Sequence, residues 1–183
     1  ESIFISTNDD WQIYHSPLIG GEAKRLTPNN PGLMHFLHGV NRDATQLAYV
    51  QISRTEQDTF SNGKVHLLDL NTGHDRQLLP GDSPEDGPEY SVDGEWIYFN
   101  TEQFTGGVNG TPGHAQIARL RVDGSDLEQL TGDEMVNWFP HPSPDGTKWS
   151  YISFPSGTLG HPADLDVQIK VVENQIGRAS CRE

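Results

Sequence analysis

Cysteine is almost absent: the 183-residue chain has only Cys181, which excludes an internal disulfide. Basic residues are scarce, with 12 Lys and Arg against 26 Asp and Glu, for a net charge of −14. That balance excludes a nucleic-acid-binding surface and adhesion to anionic membranes, because both need clustered Lys and Arg. The carboxylate surplus reads first as a solubilising surface, and second as an electronegative face for a basic partner or a cation. No apolar run is long enough to span a bilayer, so membrane insertion is not expected. No signal peptide stands at Glu1, but the chain opens inside a repeat, so residues are expected to precede it. The missing signal therefore says nothing about export. Stretches of helical period are few. No Gly-x-Ser-x-Gly elbow occurs, so no hydrolase nucleophile of that type is present. EF-hand spacing is absent as well. The run Gly106-Gly107-Val108-Asn109-Gly110 precedes no helix, so it is not a phosphate loop, and no cofactor is called for. Asn109-Gly110-Thr111 fits a glycosylation sequon, which carries meaning only in a cell that glycosylates such sites.

What is present is a repeat. NWFPHPSPDGTKWSYISF, from Asn137 to Phe154, reads as a strand, a tight turn at Ser143-Pro144-Asp145-Gly146, and a second strand. Proline pre-sets the turn's second position, and glycine supplies the positive φ at its end. GPEYSVDGEWIYFNT (Gly87 to Thr101) aligns with it through Asp93-Gly94. FLHGVNRDATQLAYVQ (Phe36 to Gln51) aligns through Asp43, with Ala44 in place of glycine. A second signature is interleaved: Leu70-Asn71-Thr72-Gly73 runs to Gln77-Leu78-Leu79, and Val122-Asp123-Gly124-Ser125 runs to Gln129-Leu130-Thr131. Near the amino end, Gly20-Gly21-Glu22 runs to Arg25-Leu26-Thr27. Leu26, Leu78 and Leu130 are evenly placed, at a period of about 50 residues that suits propeller blades better than helical repeats.

Each unit divides into four short strands, a to d, separated by turn-forming residues. The expected fold is all-β: a β-propeller of four-stranded antiparallel blades, with blades at residues 1–30, 35–80, 87–132 and 137–174. The first unit lacks strand a and the last lacks strand d. About three and a half blades are therefore expected as an open arc. Residues 175–183 break the repeat and resemble the translation of a sequencing adaptor, so they are read as a non-native tail. A lone blade cannot bury both its faces. Trp96, Tyr98, Phe99, Trp149, Tyr151 and Phe154 on b strands are accordingly assigned to blade-to-blade packing, as are Trp138 and Phe139. Trp96, Tyr98, Trp149 and Tyr151 are not expected all on one side of their blades.

SPDGTKWSYISF, QIYHSPLIGGEAKRLT and QIARLRVDGSDLEQLT resemble the PD40 repeats of TolB-like propellers, and the resemblance spans Ser2 to about Asn174. The turn proline is missing at Asn41-Arg42-Asp43-Ala44 and at Ser91-Val92-Asp93-Gly94, which loosens the turn chemistry without threatening the fold. The resemblance implies six blades in the whole propeller. It also implies a non-catalytic protein-interaction or scaffold module with a protein partner, in the bacterial periplasm. PD40-type blades also build oligogalacturonate lyases, which are metal-dependent, and the propeller domain of prolyl-oligopeptidase-like serine peptidases. Fold analogy alone does not choose among these.

The topology sorts the loops. Connections a–b and c–d are tight and share one face of the disc; b–c and d–a connections are long and share the other, where binding usually lives. That second face carries Glu56, Asp58, Asp82, Glu85, Asp86, Asp133, Glu134, Asp164 and Asp166 and is expected to be acidic. The candidate binding residues are His114, Asn137, His141, His161, Asp133 and Glu134, on the loop face and in the channel. A cation site of His141 with His114 or His161 is the alternative suggested by the lyases. No short-spaced ligand motif supports it, and the aligned positions differ (Gly39, Glu89, His141), so no metal is assigned. His35 and His38 are weaker candidates. At the two broken ends, Ile3, Ile5, Trp149 or Tyr151 are expected to meet water, and the chain is expected to self-associate through open blade faces.

Overall fold

The computed structural model describes residues 2–6, 11–54, 62–106 and 113–174. The expectations for Asn8-Asp9-Asp10, Glu56, Asp58, the glycine-rich run from Gly107 and the tail after Asn174 lie outside those residues.

No helix occurs among the described residues, which form four antiparallel meanders. The first sheet holds β1 (Ser2–Ser6), β2 (Ile13–Pro17) and β3 (Lys24–Arg25). The second holds β4 (Leu33–Val40), β5 (Gln46–Ser53), β6 (Lys64–Asp69) and β7 (Asp75–Gln77). The third holds β8 (Glu85–Tyr90), β9 (Trp96–Thr101), β10 (Gln116–Arg121) and β11 (Glu128–Gln129). The fourth holds β12 (Val136–Pro142), β13 (Lys148–Phe154) and β14 (Gln168–Glu173). The inner strands β4, β8 and β12 lie side by side, and the sheets form an open arc.

The tight turns are held by the same side-chain chemistry in each copy. Ser143 Oγ donates to Asp145 Oδ1 (2.6 Å) and accepts the Lys148 N–H (2.9 Å). Ser91 repeats this with Asp93 (2.5 Å) and Trp96 (2.9 Å). In the second sheet Asn41 takes the role with its amide, Oδ1 accepting from the N–H groups of Thr45 and Gln46 at 2.9 Å. These local caps fix the turns where the proline is missing. The serine, threonine and backbone donors around Asp145 hold its carboxyl down at about 2. Gly146 lies against Val92 of the neighbouring sheet's tight turn, whereas the Gly63 carbonyl accepts the Glu85 N–H at the opposite ends of the strands. Tight turns and long connections thus occupy opposite faces.

The core is a series of sheet-to-sheet seams. Side chains alternate along each strand, so Ile97 and Phe99 of β9 pack with Ala48, Val65 and Leu67 of the second sheet. Tyr98, between them in sequence, packs the other way, onto Trp149 and Tyr151 of the fourth sheet. Trp96 and Tyr98, two residues apart, share one side of their sheet, while Trp149 and Tyr151 occupy the facing side of theirs. All four therefore meet in one seam, with Tyr98 and Trp149 centroids 6.1 Å apart and Trp149 stacked on Tyr151 at 5.2 Å. This corrects the expectation that Trp149 or Tyr151 meets water: they are 5% and 8% exposed. The open side of the fourth sheet carries Ile169 and Val171 instead, 75% and 65% exposed. At the other end Ile3 and Ile5 are exposed as expected.

Candidate functional site

Each complete inner strand breaks its register once, between Phe36 and Gly39, between Asp86 and Glu89, and between Trp138 and His141. Each break holds one residue in the left-handed region: Leu37 (φ 44°), Gly87 (φ 59°) and Phe139 (φ 54°). Leucine and phenylalanine adopt this conformation only at a cost of about 1–3 kcal/mol, and such strain collects at functional sites. Bulges re-aim side chains, and here they line a cavity of about 1170 Å³ between the inner strands.

Two glycines let the strands approach. A Cβ on Gly39 would sit 2.9 Å from the Pro88 carbonyl oxygen. One on Gly87 would meet Asn100 Oδ1 and the Phe139 ring, both at 3.0 Å. Asn100 Oδ1 in turn accepts the Phe139 N–H at 3.2 Å, which ties the third bulge to the neighbouring sheet.

The sequence places Glu85 and Asp86 in the connection Pro80 to Gly87 between two blades. They are instead the first residues of β8, paired with Thr101 and Asn100. Glu85 is buried, and its Oε2 accepts the Val65 N–H at 2.9 Å. Burial pushes its carboxyl up to about 7, with the Val65 N–H and Lys64 opposing. Asp86 is raised to about 6 by desolvation, offset by the Gly87 N–H on Oδ1 (2.7 Å) and by His161. Both residues line the cavity, as do Glu89 and Glu102, and no Lys or Arg appears among the described lining residues. The aromatic share of the wall comes from Trp11, Phe36, Trp138 and Phe139.

The sequence-derived candidates divide into two groups. His141 and His161 line the cavity. His141 Nδ1 lies 3.4 Å from Glu89 Oε1, and that carboxylate raises the imidazole's pKa. The aligned positions Gly39, Glu89 and His141 thus form one contact: the glycine makes room, the acid fills it, the imidazole pairs with it. His161 sits on Trp138 and Phe139, with ring centroids 5.2 and 5.1 Å away and planes at 74° and 64°. His114, Asp133 and Asn137 belong to a separate network at the joint of the third and fourth sheets. His114 Nε2 donates to the Asp133 carbonyl (3.0 Å), and the buried Asn137 Nδ2 donates to Asp133 Oδ1 (2.9 Å) and Gln116 Oε1 (3.2 Å). Glu134 is exposed beside them. His35 is buried against Gln12 Oε1 (3.1 Å), which with desolvation of the ring makes it a core histidine; His38 bonds to Ser6 Oγ (2.7 Å).

The structure does not bring His141 together with His114, and among the described residues no three His, Cys, Asp or Glu converge to hold a metal. The sequence puts Asp86 on the acidic face but not among the candidate binding residues, and it does not single out Glu102, Leu37 or the cavity role of Trp138 and Phe139. The available signal was the alignment of Leu37, Gly87 and Phe139 within the repeat.

No family model matches the chain. An uncharacterized protein of Agrobacterium fabrum is 36% identical over 161 residues, covering 88% of this chain and 49% of the relative. A solved structure assigned as TolB from Agrobacterium tumefaciens superposes with a TM-score of 0.76 at 33% identity, covering 94% of this chain and 56% of that one. TolB from Acinetobacter baumannii superposes at 0.67 and 16% identity, covering 96% of this chain and 38% of that one. An oligogalacturonate lyase solved with manganese also superposes, at 0.63 and 18% identity over 86% of this chain and 45% of that one, which shows the fold alone. The chain spans about half the length of the Agrobacterium relatives it matches. Bulged inner strands, interlocking sheet seams and these superpositions agree: the chain has the TolB-like β-propeller fold.

Proposed function

We propose that the protein is a non-catalytic binding propeller of the bacterial periplasm that takes a protein partner at the cavity between its inner strands. The carrying observation is the cavity wall, which combines four aromatic rings with four carboxylates and has no Lys or Arg among its described residues. Apolar surface with a few placed polar groups is what a binding cleft offers. The strained Leu37 and Phe139 at its rim support the same reading, since strain persists where surrounding structure is built to hold it. The carboxylates speak against a polyuronate, which would bring a row of negative charges to a negative wall. His141 supports no lyase role either, because its near neighbour is Glu89 and not a second imidazole.

The test is site-specific photo-crosslinking in bacterial envelope preparations, using the whole protein. A crosslinker at Leu37, on the cavity rim, is expected to trap a partner; one at Asn71, on the tight-turn face, is not. No adduct at Leu37, or equal adducts at both positions, would overturn the reading.

A further inference from the structure

Of the four carboxylates in the wall, two are already engaged. Glu85 accepts the Val65 N–H, and Glu89 lies beside His141. Asp86 is different: Oδ1 holds the adjacent Gly87 N–H, and no hydrogen bond among the described residues uses Oδ2. It stands next to the corner made by Trp138 and Phe139, because the Asn100 that pairs with Asp86 also binds the Phe139 backbone. One carboxylate beside two aromatic rings is the composition of an organic-cation cage, in which the ring faces and the anion attract the same charge. The corner is not empty. His161, on the connection between β13 and β14, has its ring nearly perpendicular to both aromatic planes and lies within electrostatic reach of Asp86. Trp138 Nε1–H is buried without a hydrogen-bond acceptor, so the indole is committed to this corner by packing alone.

We propose that Asp86, Trp138 and Phe139 form a receptor for the ammonium or guanidinium of a partner's Lys or Arg side chain, and that His161 is a resident occupant which the cation displaces. His161 is exposed and sits on a connection without strand pairing, so moving it breaks no sheet hydrogen bond. Trp138 and Asp86 sit on paired strands and stay in place. The charge on a partner's basic side chain would also complement a wall with four carboxylates and no Lys or Arg among its described residues. This inference rests on the binding reading above and specifies its chemistry.

The experiment is a titration of the protein with Nα-acetyl-lysine methylamide, followed in NMR by the indole N–H signal of Trp138 and the ring signals of His161, with the remaining one of the two used where a variant removes the other. The uncharged isostere Nα-acetyl-norleucine methylamide serves as control. The lysine derivative is expected to shift the Trp138 and His161 signals saturably, and to bind at least tenfold tighter than the norleucine derivative. Asp86→Asn is expected to weaken it at least fivefold, and Trp138→Leu to do the same if the first variant folds poorly. His161→Ala should bind equally or more tightly. Equal binding of the norleucine derivative, unchanged affinity in folded Asp86→Asn and Trp138→Leu, or a loss in His161→Ala as large as in Asp86→Asn would overturn the cation receptor. If the probe fails while Leu37 still traps a partner, only the cation specificity falls; if Leu37 traps nothing, the binding reading falls with it.

Discussion

Ala44 stands where Gly94 and Gly146 close the corresponding turns, and it adopts the same left-handed conformation (φ 52° against 73° and 70°). An L-residue pays about 1–2 kcal/mol there, through the contact of Cβ with the following carbonyl oxygen. Replacing it with glycine removes that strain but loosens the unfolded chain by roughly 0.5–1 kcal/mol. Ala44→Gly is therefore expected to stabilise by about 0.5 kcal/mol, read as a small rise in the denaturation midpoint at constant slope. A fall in midpoint would mean that the Asn41 cap, and not the φ of Ala44, sets this turn's energy. Turns were the most legible part of the sequence because their chemistry is local. Ser91 and Ser143 reach only as far as the aspartate two residues on and the N–H five residues on. Glu85 and Asp86 were misread for the converse reason. Their neighbours Pro84 and Gly87 are turn formers, and only pairing with Thr101 and Asn100, which lie further along the chain, makes them strand.

The strands repeat a joint that no single turn reveals. At the first seam the Ile13 N–H is accepted by Thr27 Oγ1 (3.2 Å), and at the third the Ile117 N–H by Thr131 Oγ1 (2.9 Å). At the second seam the equivalent donor is Val65, and the equivalent acceptor position is Leu79, which has no side-chain oxygen to offer. Glu85, from the next inner strand, supplies it at 2.9 Å. One carboxylate has replaced one hydroxyl, and the acceptor has moved from just past the outer strand of one sheet to the inner strand of the next. Leaving the buried Val65 N–H without an acceptor costs roughly 1–3 kcal/mol. Glu85→Ala and Leu79→Thr should therefore couple favourably by about 1 kcal/mol in a double-mutant cycle; simple additivity would sink the exchange. The same residue sets a pH dependence. Its folded pKa, about 7, lies above the ordinary 4.5, so the folded state holds the proton more tightly. That contribution to stability is full below 4.5 and is lost as pH rises through 7. Glu85→Gln keeps an acceptor for Val65 and removes the charge. Relative to the parent chain it is expected to gain stability at pH 8 over pH 5, measured by urea denaturation, and an equal difference at both pH values would refute the assignment.

At the scale of the whole molecule, the sequence predicted open faces at both ends of the arc and misplaced one of them. Ile3 and Ile5 lie where expected. Trp149 and Tyr151 do not, because which side of a strand faces inward depends on the neighbour, and the repeat alignment already contained the answer. By their pairing with Pro142 and with Tyr90, Trp149 corresponds to Ile97, a residue that faces the preceding sheet. The following side of the fourth sheet leaves Ile169 and Val171 exposed, next to the outer edge of β14, which pairs with no other strand among the described residues. Uncovered apolar side chains of this size each forgo roughly 1.5–3 kcal/mol of burial, and an unpaired strand edge beside them is a template for a second chain. The chain is therefore expected to self-associate with rising concentration, seen as an increasing mass by light scattering after size exclusion. Ile169→Lys with Val171→Lys places two positive charges on that face without touching the Tyr98–Trp149 seam, since both residues point away from it. The double variant should remain monomeric at concentrations where the parent associates, with an unchanged near-ultraviolet signal from the buried tryptophan. Association that survives the two lysines would move the contact to the Ile3–Ile5 end; a parent chain that stays monomeric throughout would show that the exposed face is not adhesive.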